Sequence, residues 1–192
     1  LGCSDGVLSM QMRSLGHVVT GVDIEEHAQV FGRVDKFIQA NLDAGLPSSL
    51  SSECDVVVCA DVLEHVREPE ALLAQIAPLL RPGGAVLASI PNFGHWYPRI
   101  RTVLGIFDYD RRGILDRGHV RFFTRRSFER MARTAGYEVY RIGATGLPID
   151  VADRGGKEGF SRRLRPIRAV DKLLVKIRPQ MFAYQFIYEL KR

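Results

Sequence analysis

Leu1-Gly2-Cys3-Ser4-Asp5-Gly6 places two glycines around a short polar bend, and Asp23 closes an apolar run seventeen residues beyond Gly6. Glycines at such a bend let the backbone approach a ligand closely. A carboxylate at the end of the next strand can accept hydrogen bonds from the two hydroxyls of a ribose. The pairing points to a nucleoside-type cofactor. It is not the G-x-G-x-x-G of dinucleotide sites, and no lysine follows as in a phosphate-binding Walker loop. It also carries the expectation that the strand leading into Gly2 is missing, with residue 1 at its very end. Three more landmarks belong to the same sheet edge: Asn41-Leu42-Asp43, Ala60-Asp61-Val62-Leu63-Glu64-His65, and Leu79-Leu80-Arg81-Pro82-Gly83-Gly84.

The elements that must position these residues follow from periodicity and turn chemistry. Gly6 to Leu15 reads as a helix with Val7, Leu8 and Met12 on its buried side, and His17 to Val22 as a strand. Glu25 to Phe31 reads as a weak helix and Lys36 to Gln39 as a short strand. Cys54 to Ala60 is a nearly continuous apolar run, as in a parallel strand covered on both faces. Pro69 opens a helix that carries Leu72, Leu73, Ile76, Leu79 and Leu80 at helical spacing, and Pro82-Gly83-Gly84 should end it. Ala85 to Ile90 is the next strand. Thr124 is a natural N-cap for a helix through Arg133, and Gly136 lies just past its end. Tyr137 to Ile142 and Phe182 to Leu190 are the last two strands. Strands alternating with helices predict an α/β, doubly wound, mostly parallel sheet. The long stretches 91–123 and 143–181 interrupt the alternation as insertions.

Bulk composition narrows the classes. The 192 residues are 46% apolar and 26% charged, which suits one globular domain over 1–192. No apolar stretch approaches the roughly 20 residues that cross a bilayer. Cys3, Cys54 and Cys59 are odd in number and lack metal-ligand or redox spacing, so a reduced, cytoplasmic setting is expected. The net charge of +5 is uneven: residues 154–192 carry 11 Lys/Arg against 3 Asp/Glu, and the rest 16 against 19. The basic character therefore belongs to a tail segment, and with no DNA- or RNA-binding motif a nucleic-acid partner is not expected.

Taken together, the motifs make residues 1 to about 142 resemble the class I S-adenosylmethionine-dependent methyltransferases. The resemblance implies a seven-stranded sheet whose last strand, Phe182 to Leu190, runs antiparallel. It implies S-adenosyl-L-methionine as cofactor, bound at Gly2, Cys3, Ser4 and Gly6 of the bend and at Asp23 with Ile24 beside it. Asn41 and Leu42 match the adenine site, and Ala60 and Asp61 the methionine end. Ser4 stands where the family commonly has glycine. Locally, Asp61 to Glu70 is similar to quinone-biosynthesis O-methyltransferases. Pro91 to Trp96 and Asn41 to Leu46 are similar to methionine-biosynthesis W proteins, which assist an acyltransferase. Leu115 to Thr124 is similar to many uncharacterised bacterial methyltransferases, some encoded beside polysaccharide glycosyltransferases. The activity implied is methyl transfer to a small-molecule or glycan-related acceptor, at oxygen. The alternative is a methyltransferase-like accessory protein that regulates a biosynthetic enzyme. A dehydrogenase stands third because the glycine spacing is wrong for one.

A hydroxyl acceptor must lose a proton, and histidine titrates near neutrality. His119 and His95 are placed first as acceptor-side groups, and His65 should lie near the transferring methyl. In some quinone methyltransferases the segment matching Asp61, Glu64 and His65 carries a divalent metal. Here a capping Glu64 and a packed His65 are the plainer reading, and no metal is expected. Arg99, Arg101, Arg111, Arg112, Arg117 and Arg121 lie among the aromatics of the 91–123 insertion, either gripping an anionic acceptor or forming a solvated face. Leu164, Ile167, Val170, Leu173, Leu174 and Ile177 form a helical apolar stripe, with basic residues on much of the remainder of 163–178. The stripe is expected to pack on its own domain over the acceptor pocket, with contact to an anionic membrane as the alternative.

Overall fold

The computed structural model describes residues 1–50, 53–148 and 158–192, and the side chains of 158–165 lie outside that description. Six strands form among the described residues, in two sheets. β1 (Thr20–Asp23) and β2 (Lys36–Gln39) pair in parallel, with Asp23 opposite Gln39. The second sheet runs β3 (Cys54–Ala60), β4 (Leu80–Pro91), β6 (Gln185–Lys191) and β5 (Glu138–Thr145). β3 and β4 are parallel, and β6 is antiparallel to both β4 and β5. The α/β class and the antiparallel last strand agree with expectation. The resemblance implies seven strands with the first largely missing; six are described, one at each position where the sequence predicts a strand.

Leu1 to Cys3 stand between the two sheets. The Leu1 amino group donates to Val58 O at 2.8 Å and Cys3 N donates to Val22 O at 3.2 Å. One bond on each side bridges the sheets without making a ladder.

Helix α1 (Val7–Ser14) departs from its expected amphipathic reading. Val7 and Leu8 are exposed, Met12 is half-buried, and Ser9 is the buried residue. The helix expected over Glu25 to Phe31 contracts to a single 3-10 turn, Val30–Gly32. α2 (Pro69–Ile76) starts at proline and buries Leu72, Leu73 and Ile76. Pro82-Gly83-Gly84 does not end this helix. It lies inside β4, where the pairing shifts between Cys54–Leu80 and Val56–Ala85. A Cβ on Gly84 would sit 3.0–3.1 Å from the carbonyls of Arg81, Cys54 and Asp55, so any larger residue would push the backbone apart by a few tenths of an ångström where the strands meet.

Within 91–123 the chain forms α3 (Trp96–Val103), which periodicity had not revealed. α4 (Arg125–Thr134) is capped as expected: Thr124 Oγ1 accepts from Ser127 N at 3.2 Å, and Thr124 N donates to Ser127 Oγ at 2.9 Å. Within 143–181 lie α5 (Glu158–Ile177) and the short α6 (Pro179–Phe182).

The core forms on one face of the larger sheet. Val57 and Cys59, Val86, Ala88 and Ile90, and Phe186, Tyr188 and Leu190 pack against Leu63, α2 and the Phe128–Met131–Ala132 side of α4. Tyr137 OH crosses this core to donate to Leu73 O at 2.9 Å. Strand alternation turns Val56, Leu87 and Ile187 to the opposite face, where they are exposed.

The tail stripe corrects the expected packing. Arg163, Leu164 and Arg165 lie outside the described side chains. Of the other stripe residues, Ile167, Val170, Leu173 and Ile177 are exposed and Leu174 is half-buried; Val175, outside the stripe, is the buried residue of this stretch. No helix among the described residues is long and apolar enough to cross a membrane.

Candidate functional site

The ends of β1, β2 and β3 deliver the residues that the sequence singled out. The bend holds left-handed backbone at Gly2 (φ 61), Ser4 (φ 48) and Gly6 (φ 82). At Gly2 a Cβ would approach Val62 Cγ2 to 2.6 Å, so glycine seats the bend against the segment that follows β3. The Asp23 carboxylate turns toward the bend and accepts from Ser4 N at 2.6 Å and from Glu25 N at 3.0 Å. Each oxygen keeps acceptor capacity for a further donor. Ile24 is exposed beside it and Leu42 is half-buried, two apolar walls suited to the face of a purine. Asn41 caps the next turn, its side chain accepting from Asp43 N at 2.9 Å. Cys3 lies half-buried against Gly21. A carboxylate beside a strained bend, with apolar flanks, fits an adenosyl group.

Ala60 ends β3, and Asp61 follows in a left-handed conformation (φ 54), which aspartate tolerates better than most side chains. Its geometry is held by residues that sequence reasoning missed. Asp61 N donates to Ser89 Oγ at 3.1 Å, Ser89 Oγ donates to Asp61 Oδ1 at 2.9 Å, and the Gln185 amide donates to the same oxygen. Ser89 belongs to β4 and Gln185 to β6, so nothing near Asp61 in the chain could have signalled either.

A cavity of about 1070 Å³ opens from Asp61. Glu64, Pro91, Gly113, His119, Tyr184 and Gln185 line one side. α5 supplies the other through Arg168, Asp171, Lys172, Val175 and Lys176. The loop carrying His119 is fastened to the segment after β3. Glu64 O accepts from Val120 N and from Arg121 N, both at 2.9 Å, and Arg121 Nε donates to Arg67 O at 2.8 Å.

The structure brings His65 and His119 together, with ring centroids 4.8 Å apart and the rings edge to face. His119 is buried, and its Nδ1 lies 3.1 Å from Ile114 O. His65 is exposed, and its Nδ1 lies 2.8 Å from Gly118 O. A carbonyl can only accept, so each neutral ring carries its proton on Nδ1 and leaves Nε2 with a free lone pair. Burial lowers the His119 pKa and keeps the ring neutral. His119 Nε2 faces Glu64 Oε1 at 4.0 Å. Glu64 is 1% exposed, neither of its carboxylate oxygens has a hydrogen-bond partner, and burial pushes its pKa up to about 8.

One ligand atom from each of Glu64, His65 and His119 lies within 4.8 Å of the others. Two imidazoles oriented through Nδ1 and an unpartnered carboxylate fit a divalent cation. The sequence reading of a metal had included Glu64 and His65; His119 enters only through the insertion.

His95 is placed elsewhere. It is buried at the N-cap of α3, where Nδ1 accepts from Tyr97 N at 3.3 Å, and it does not line the cavity. Burial lowers its pKa to about 4 from 6.5. The folded protein therefore holds this ring neutral while the unfolded chain protonates it below pH 6.5. Stability should be independent of this group above that pH and fall as pH drops from 6.5 toward 4. His95→Asn, which keeps an N-cap acceptor, should remove on the order of 2–3 kcal/mol of that acid sensitivity. Denaturant titrations of both proteins across this range would check it, and parallel pH profiles would contradict it.

The six insertion arginines divide evenly, Arg99, Arg101 and Arg121 bonded within the fold and the other three exposed. Arg101 pairs with Asp110 at 2.8 Å and lies over the Tyr97 ring, Arg99 Nε donates to Gly94 O at 2.6 Å, and Arg111, Arg112 and Arg117 are exposed and off the cavity. The cations that do line the cavity come from α5.

Known proteins share this architecture. A family described as a methyltransferase domain matches residues 1–142. The ubiquinone biosynthesis O-methyltransferase of Aromatoleum aromaticum is 34% identical over 152 residues, covering 74% of this chain and 64% of that protein. That of Thiobacillus denitrificans is 32% identical over 160 residues, covering 78% and 68%. The chain thus spans about two thirds of the length of these relatives. Among solved structures, an S-adenosylmethionine-dependent methyltransferase from Archaeoglobus fulgidus superposes with a TM-score of 0.64 at 15% identity, covering 100% of this chain and 83% of that one. The magnesium protoporphyrin IX methyltransferase of Synechocystis, with S-adenosylhomocysteine bound, gives 0.62 at 19% identity, covering 100% and 71%.

Proposed function

This chain belongs to the class I S-adenosylmethionine-dependent methyltransferases, and on that premise we propose that it moves a methyl group to a hydroxyl oxygen of a small phenolic acceptor. The bend, Asp23, Ile24, Asn41, Leu42, Ala60 and Asp61 would hold the cofactor, whose sulfonium supplies an electrophilic methyl when bound. The observation that carries the reading is the cavity at Asp61 with a neutral imidazole in its wall. His119 Nε2 has its lone pair free and is oriented by Ile114 O, so it can take the acceptor hydroxyl's proton. Tyr184 and α5 confine the acceptor, and the fastened 113–121 loop limits water. The relatives' names, ubiquinone biosynthesis O-methyltransferase, point to oxygen as the acceptor atom, and a hydroxyl on a quinone-type ring is a phenol. A glycan-related hydroxyl is the other acceptor of this kind, for which Asp171, Lys172 and Gln185 in the cavity wall offer hydrogen-bonding groups. The chain acts as one domain over 1–192, with described residues of 113–119 and 144–148 and of α5 forming the acceptor side.

A second reading of the same residues is favoured by the unpartnered Glu64 carboxylate. Glu64, His65 and His119 would hold a divalent cation, which lowers the pKa of a bound phenol. Cofactor binding alone would leave the accessory-protein alternative standing. The deciding experiment gives the protein S-adenosylmethionine with a labelled methyl and a panel of phenols and sugars. Label on acceptor oxygen supports the proposal. Cofactor binding with no transfer to any acceptor, under chelated and divalent-supplemented conditions alike, would overturn it.

A further inference from the structure

Helix α5 divides its two faces by chemistry. Arg168, Lys172 and Lys176, at i, i+4 and i+8, line the acceptor cavity together with Val175. On the opposite face Ile167, Val170, Leu173 and Ile177 are 53%, 56%, 57% and 65% exposed. Four large apolar side chains on one helical stripe, none covered, exceed the scatter of single surface hydrophobics. The Asp171 carboxylate lies on the cavity side, where it accepts from Leu147 N at 3.2 Å.

At its C-terminal end the stripe meets a hollow of about 430 Å³ between α3, α4 and α6. Three arginines line it, Arg99, Arg125 and Arg178, with Ile177 and Met181 beside them. Arg125 is paired with Glu129 at 2.8 Å, while Arg99 and Arg178 are exposed. One turn along α3 from Arg99 stands Val103, 86% exposed. Gln180 adds a carboxamide, and among the described residues no carboxylate lines the hollow.

We propose that the stripe and this hollow form a docking surface for an anionic bilayer. The guanidinium groups of Arg99 and Arg178 meet lipid phosphates, and Ile167, Val170, Leu173 and Ile177 enter the headgroup–acyl boundary. Charge decides between occupants. A protein partner or second copy would need acids to match these arginines, and the stripe and hollow present apolar and cationic groups. A phosphate-rich surface over an apolar boundary complements both at once. The surface lies on the other face of α5 from the methyl-transfer cavity and shares only Pro179 with its lining, so the inference does not rest on the acceptor's identity.

The test is co-sedimentation of the full chain with vesicles of equimolar phosphatidylglycerol and phosphatidylcholine, compared with phosphatidylcholine alone. Anionic vesicles should bind at least about tenfold more tightly, and the advantage should shrink with added salt. The double variant Leu173→Glu, Ile177→Glu should lose binding about tenfold or more, and Arg178→Glu should lose several-fold. Both should keep the wild-type affinity for S-adenosylmethionine, which shows that the fold is intact. No preference for anionic vesicles, or variants that bind as well as wild type, would overturn the proposal. So would a solution dimer that the double variant converts to monomer, because a second copy would then be the occupant.

Discussion

Asp23→Ala is expected to weaken S-adenosylmethionine binding at least tenfold. In this protein the carboxylate sits 2.6 Å from Ser4 N and 3.0 Å from Glu25 N, so it already braces the bend that the cofactor would approach. Removing it takes away the acceptors for two ribose hydroxyls, each bond to a charged acceptor contributing about 1.5–3 kcal/mol. It also releases two backbone N–H groups from their partner. Water can reach both, which keeps the structural cost small. Asp23→Asn should fall between the two proteins, because the amide keeps one acceptor oxygen and can still receive the Ser4 N–H. Calorimetry on the three proteins is the measurement. Equal affinities would show that the bend and this residue do not hold the cofactor.

The second large effect is expected at His119. If its Nε2 takes the acceptor's proton, His119→Ala should lower kcat by roughly 10²- to 10⁴-fold, and cofactor affinity should stay within twofold. Single-turnover transfer to a phenol found in the acceptor panel gives the rate without interference from product release. Chelation separates the two readings of the site. A general base should be indifferent to EDTA, whereas a Glu64–His65–His119 cation site should lose activity on chelation and regain it with an added divalent ion. His65→Ala sharpens the contrast. The base reading expects a modest loss, since His65 touches His119 only edge to face at 4.8 Å, and the metal reading expects a loss as large as at His119. A His119→Ala variant with the wild-type rate would sink both readings.

What could be read along the chain were features set by neighbours in sequence. The Thr124 cap and its Ser127 partner are three residues apart, and the helix they start formed as expected. The apolar run Cys54 to Ala60 became β3, and Pro69 became the first residue of α2. Local patterns also misled where tertiary packing ruled. Val7, Leu8 and Met12 have helical spacing, yet Val7 and Leu8 stay exposed, and Pro82-Gly83-Gly84 has the look of a helix stop yet lies where the pairing of β4 shifts. Glu25 to Phe31 has neither cap nor apolar periodicity strong enough to offset its ordering entropy, and only one turn forms there.

The sequence by itself brought together the bend and Asp23, the proposed cofactor side of the site. Asp23 follows the bend by one helix and one strand, so turn chemistry and strand periodicity suffice to bring them together. The acceptor side was decided by tertiary structure alone. His119 meets Glu64 across 55 positions, and Gln185 reaches Asp61 across 124. His95, equally plausible as a residue type, is drawn into a helix cap. The direction each face of α5 takes was settled in the same way. These outcomes depend on which loops close over the sheet and which side chains burial leaves without water, and no periodicity in a linear chain records either.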